Sequence, residues 1–144
     1  MKSILLSLLF ALVGACVNTI HSQDIQNYTI EKSILTNLEE TEVYENQKAT
    51  GNITINFKQK TYLVKIAFED APYDYYTIKG TLKKREPVYF KDADVKEEVI
   101  YSCSIIMDDE VDNGNIYIDK LYNGNIVISF LGDNSSTIRS IYVK

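Results

Sequence analysis

Proton transfer near neutral pH, nucleophilic attack and metal ligation draw mostly on His, Cys and clustered carboxylates. This chain is poor in the first two. Its single histidine, His21, stands beside an N-terminal apolar run, and its only cysteines are Cys16 and Cys103. A folded domain beyond that run therefore lacks imidazole, which excludes Ser-His-Asp and Cys-His nucleophiles, a histidine general base and His-ligated zinc. A lone Cys103 cannot build a thiolate zinc site or an internal disulfide. It shares an alternating face with Val99, Tyr101, Ile105 and Met107, so it reads as a small buried hydrophobe with little thiolate. These residue types point to a non-enzymatic protein with no cofactor.

Two clusters remain. Asp108-Asp109-Glu110-Val111-Asp112-Asn113-Gly114-Asn115 concentrates oxygen ligands at a turn, with Asp108, Asp109 and Asp112 as the candidate calcium ligands. An EF-hand loop aligned on Gly114 would need ligands where Val111 and Lys120 stand, so that match fails and an acidic hairpin tip is expected. Tyr73, Tyr75 and Tyr76 follow Pro72, with Asp70 and Asp74 beside them. Exposed tyrosines among carboxylates make a platform for a ligand or a protein partner. The chain has no Trp, which argues against a sugar-stacking surface. A glycosidase pair of carboxylates is not supported, because Glu and Asp gather in turns without recognisable supporting residues.

The N-terminus reads as an export signal. Lys2 supplies a short positive region, and Ile4 to Val13 is an apolar run without a polar face, of signal-peptide rather than membrane-span length. Two cleavage sites compete. Ser22-Gln23 suits ordinary cleavage, giving a signal over 1–22 and one domain over 23–144. Val13-Gly14-Ala15-Cys16 resembles a bacterial lipobox, which would end the signal at residue 15 and anchor the protein through a lipid on Cys16. The chain is thus expected outside the cytoplasm, secreted or periplasmic, with lipid anchoring to the envelope as the competing expectation and no transmembrane span in the mature protein.

Removing Lys2 with the leader takes the formal charge from −5 to −6. A domain this acidic repels phosphate backbones, so nucleic acid is not the expected partner. The one basic run, Lys83-Lys84-Arg85, meets Glu86 directly and reads as a solvated turn.

The elements that must position these residues are strands. Asn52 to Phe57 alternates polar and apolar residues, Lys58 to Lys60 makes a turn, and Tyr62, Val64, Ile66 and Phe68 share one face of the return strand. Pro72 is expected to break the run before a strand carrying Tyr76, Ile78, Gly80 and Leu82. Tyr28, Ile30 and Ile34 suit a first strand over Asn27 to Thr36, with a short helix at Ile34 to Leu38 as the alternative. Asn37 to Ala49 reads as a long acidic connection, and Val88-Tyr89-Phe90 as an edge strand. Val95 to Met107 is a long strand entering the C-terminal hairpins. There Asn113-Gly114, Asn123-Gly124 and Gly132 to Ser135 mark three turns, the first two with the residues of a type I′ hairpin.

Taking both Asn-Gly pairs as two-residue loops creates a conflict. Val111 would pair with Ile116, Leu121 with Ile126, and Tyr117 with Phe130. That register puts apolar residues on both faces of the sheet. Either both faces are covered, for example by an N-terminal segment, or a bulge near Asp119-Lys120 moves one set across.

Short strands at roughly ten-residue intervals predict an all-β fold: an antiparallel meander of about seven to nine strands closing into a small barrel or a two-layer sandwich. In strand number, and in an N-terminal strand followed by hairpins, the chain resembles lipocalin-like or calycin-like exported proteins. It has no Gly-x-Trp signature near the first strand, so no binding residue is carried over. The resemblance implies a barrel interior that takes a small apolar ligand. The other expectation is an extracellular or envelope-associated interaction module working through its acidic and Tyr-rich loops.

Overall fold

A computed structural model describes residues 24–144, which contain strands and turns and no helix. The apolar run, Cys16 and His21 lie outside the described residues. β1 (Ile25–Asn37), β2 (Val43–Asn56), β3 (Thr61–Phe68), β4 (Ala71–Glu86), β5 (Val95–Met107), β6 (Glu110–Leu121), β7 (Ile126–Gly132) and β8 (Thr137–Val143) follow in chain order. Each pairs antiparallel with the next, and β8 pairs back onto β1, closing a barrel. The sandwich alternative is thereby excluded.

Alternation decides what fills the barrel. Ile53 and Ile55, Val64 and Ile66, Ile116, Ile128 and Ile141 are fully buried on the inward face of five strands. Between the inward residues of β2 and β3, Asn52 and Lys65 are exposed on the outer wall, as is Lys79 in β4. No helix among the described residues is long and apolar enough to cross a membrane.

The C-terminal hairpins differ from the sequence expectation in an instructive way. The β5–β6 turn is Asp108-Asp109, both at positive φ (50° and 64°), and β6 runs straight through Asn113-Gly114. Gly114 is there because the barrel wall leaves no room for a side chain: a Cβ would stand 2.1 Å from the Leu131 carbonyl oxygen. Val111 accordingly pairs with Ile106 rather than Ile116. Asn123-Gly124 does form a turn, but its loop has three residues, Tyr122 to Gly124, with Leu121 and Asn125 joined across it and Gly124 at φ 89°. Ile126 therefore pairs with Lys120 instead of Leu121, and Tyr117 with Ser129 instead of Phe130. That one-residue shift brings Ile116 opposite Phe130 and Ile118 opposite Ile128, all on the inward face. The two-faced conflict disappears.

Elsewhere the strands are longer than expected. The acidic stretch after Asn37 is a tight turn, stabilised by the Asn37 carboxamide oxygen accepting from the Thr41 and Glu42 amides (2.9 and 3.1 Å), and β2 starts at Val43. No long connection and no helical turn occur there. Pro72 lies inside β4, between the Phe68–Ala71 and Ile66–Tyr76 pairs where the register shifts, so its missing N–H breaks no regular ladder. Val88-Tyr89-Phe90 forms an exposed loop and no strand; Phe90 is 93% exposed. In β1, an irregularity between Ile30 and Lys32 changes the inward parity. Tyr28 and Ile30 point in before it and Ser33 after it, whereas Ile34 turns out.

Candidate functional site

The hairpins put four turns at one end of the wall and three at the other. At one end lie the turns between β1 and β2, β3 and β4, β5 and β6, and β7 and β8. They carry Glu39, Glu40 and Glu42, then Glu69 and Asp70, then Asp108 and Asp109, then Asp133, and no Lys or Arg. The turns at the other end carry Lys58, Lys60 and Lys91 against Asp92 and Asp94. The barrel is electrically polar, acidic at one mouth and mixed at the other.

The acidic mouth is also where the interior is open. Two adjoining cavities, about 600 and about 380 Å³, share Ile78, Met107 and Arg139 as lining. Leu35, Ile105 and Phe130 line the larger one, and Ile66, Phe68 and Tyr76 the smaller. Toward the far end the bore is filled by the buried isoleucines, with the Tyr62 ring against Phe130 at 5.6 Å. An eight-stranded barrel has just this capacity: side chains fill it, or one small ligand shares it.

Arg139 is the polar centre of the mouth. It comes from the inward face of β8, and its guanidinium donates to the hydroxyl of fully buried Ser33 and to Glu45, both at 3.0 Å. It also lies over the Phe68 ring, 5.5 Å from the centroid. Asp112 projects from the inward face of β6 beside Ile105, its Oδ1 accepting from the Asn113 amide (2.8 Å) and the Asn134 carboxamide (3.3 Å). Sequence reading missed both Arg139 and Ser33, since an isolated Arg and Ser in β1 and β8 carry no local signal until barrel closure joins the chain's two ends.

The sequence candidates separate. Tyr76 sits inward, pairs with Ile66 and stacks near Phe68 at 5.7 Å. Tyr73 and Tyr75 fall on the outer face, Tyr73 being 92% exposed. Asp108 and Asp109 form the turn, whereas Asp112 belongs to the bore. Among the described residues no group of three His, Cys, Asp or Glu side chains converges as metal ligands. Cys103 is buried inside the wall, and burial pushes its thiol up from the ordinary range.

A second polar feature lies on the outer wall toward the far end. Glu98 and Asp119 are directly opposite on β5 and β6. One oxygen of each is buried without a hydrogen-bond partner among the described residues. Burial, then the neighbouring Glu98 and Asp92 charges, push Asp119 up to about 6; burial and Asp92 raise Glu98 as well.

No protein-family model, curated protein or solved structure matches this chain.

Proposed function

We propose that the protein binds a small apolar ligand in the open mouth of its barrel and performs no chemistry on it. One observation carries this reading: a bore packed with isoleucine at one end opens at the other into two linked, apolar-floored cavities of about 600 and 380 Å³. Ligand sites of this kind fall in the range of roughly 300–1,000 Å³. A ligand of about 20 heavy atoms at ~0.3 kcal/mol each would bind with about −6 kcal/mol, a Kd of tens of micromolar. The scarcity of His and the burial of Cys103 support a binding role over a catalytic one. The proposal includes export, supported by Lys2 and the apolar run Ile4 to Val13, with a lipid on Cys16 as its anchored form.

The test is a fluorescence titration with the uncharged dye N-phenyl-1-naphthylamine. Saturable enhancement is expected, and Ile105→Trp, which fills the larger cavity, is expected to abolish it while circular dichroism stays that of a β protein. A linear, unsaturable signal, or equal uptake by the variant, would sink the reading. Exposed Tyr73 and Tyr75 favour a second reading, a surface for a protein partner. In that case Tyr73→Ala would impair partner capture and leave dye uptake unchanged.

A further inference from the structure

We infer that the ligand of this mouth is a cationic amphipath, an apolar chain or ring bearing an amine. The inference rests on the cavity reading above and adds the sign of the ligand's charge.

Five carboxylates line the two cavities: Glu45, Asp70, Asp108, Glu110 and Asp112. Among the described residues Arg139 is the only cation in the lining, and it is not available to an incoming anion. Its Nη2 pairs with Glu45 at 3.0 Å, its Nη1 donates to Ser33, and its guanidinium carbon lies over the Phe68 ring. A ligand carboxylate would have to displace Glu45 and would leave that acid half-buried without its partner. The other four lining carboxylates make no ion pair among the described residues. Asp112 matters most, because it points into the bore from β6 at the level of Ile105, where the apolar floor begins. An ammonium group placed there meets carboxylate, and its hydrocarbon lies on Ile78, Ile105 and Phe130. In the smaller cavity, whose lining includes the carboxylates Glu45, Asp70 and Asp108, the Tyr76 ring offers a π face to a cation. Acidic turns around a low-dielectric cleft focus the field inward, which raises the local concentration of cations and lowers that of anions.

Three ligands of equal chain length separate the possibilities: decylamine, decanol and decanoate, each displacing N-phenyl-1-naphthylamine from the intact exported domain below its micellar concentration. At pH 7 and low salt, decylamine is expected to bind about tenfold tighter than decanol, with decanoate weakest. The amine-to-alcohol ratio should shrink several-fold in about 0.5 M salt and in Asp112→Asn. Decanol or decanoate binding as tightly as the amine would overturn the inference and leave the cavity reading standing. A preference insensitive to both salt and Asp112→Asn would overturn it too. Failure of all three ligands, together with failure of dye uptake, would overturn both.

Discussion

At the residue scale, the most constrained polar groups are those that the barrel wall buries. The Tyr62 hydroxyl donates to the Ser104 carbonyl at 2.7 Å and lies 4.0 Å from the Cys103 sulfur. Burial pushes its phenol up. Tyr62→Phe should cost about 1 kcal/mol by leaving that carbonyl short of a donor, read as a lower urea midpoint at unchanged slope. Asp119 makes a pH prediction with a definite sign. Its folded pKa, about 6, is above the ordinary 3.8, so the folded state holds the proton more tightly than the unfolded one. The favourable contribution is complete below about 3.8 and is lost as pH rises through about 6. Asp119→Asn should therefore gain melting temperature over wild type at pH 7, and the gain should vanish by pH 4. A difference independent of pH would show that Asp119 titrates normally.

At the element scale, two glycines of similar local sequence do different work. Gly124 needs its positive φ, but a Cβ there would meet nothing within 4 Å. Gly124→Ala should cost only the strain of a left-handed residue, about 1 kcal/mol. Gly114 has an ordinary φ, yet its Cβ would collide with the Leu131 carbonyl and come within 2.9 Å of the Ile105 side chain. Gly114→Ala should cost about 2–3 kcal/mol, since β6 and β7 would have to separate. Equal losses in chemical denaturation would contradict this assignment of roles. Deleting Tyr122 should be worse than either, because a two-residue loop turns Ile126, Ile128 and Phe130 outward; burial of each such residue is worth ~1.5–3 kcal/mol.

At the scale of the whole molecule, among the described residues only β1 with β8 joins distant parts of the chain; every other strand pairing is between neighbours. The Arg139 links to Ser33 and Glu45 are made across that closure. Arg139→Met should both loosen the seam and leave the Ser33 hydroxyl unpaired, a loss of about 2–3 kcal/mol by denaturation. Removing residues 137–144 should abolish cooperative unfolding altogether, because it exposes two sheet edges and opens the bore. The unequal charge of the two ends is also a molecular property. It sets up a field between the two ends of the barrel that should weaken with ionic strength.

Alternating Ile, Val and Tyr with regular turn residues was enough to declare an all-β chain of hairpins, since the period of a strand is written locally. Val95 to Met107 and the turn at Gly132 to Ser135 were legible for the same reason. The identity of the Asn-Gly turns was not, because Asn113-Gly114 satisfies a turn and a crowded barrel wall equally well. Only the approach of β7 decides between them. Pro72 and the acidic stretch after Asn37 misled in the same way: the irregular pairing that tolerates a proline belongs to the partner strand. The mouth was the least legible part of all. Its arginine, its buried serine and its inward aspartate stand far apart in the chain, and closure of the barrel is what brings their side chains into one space.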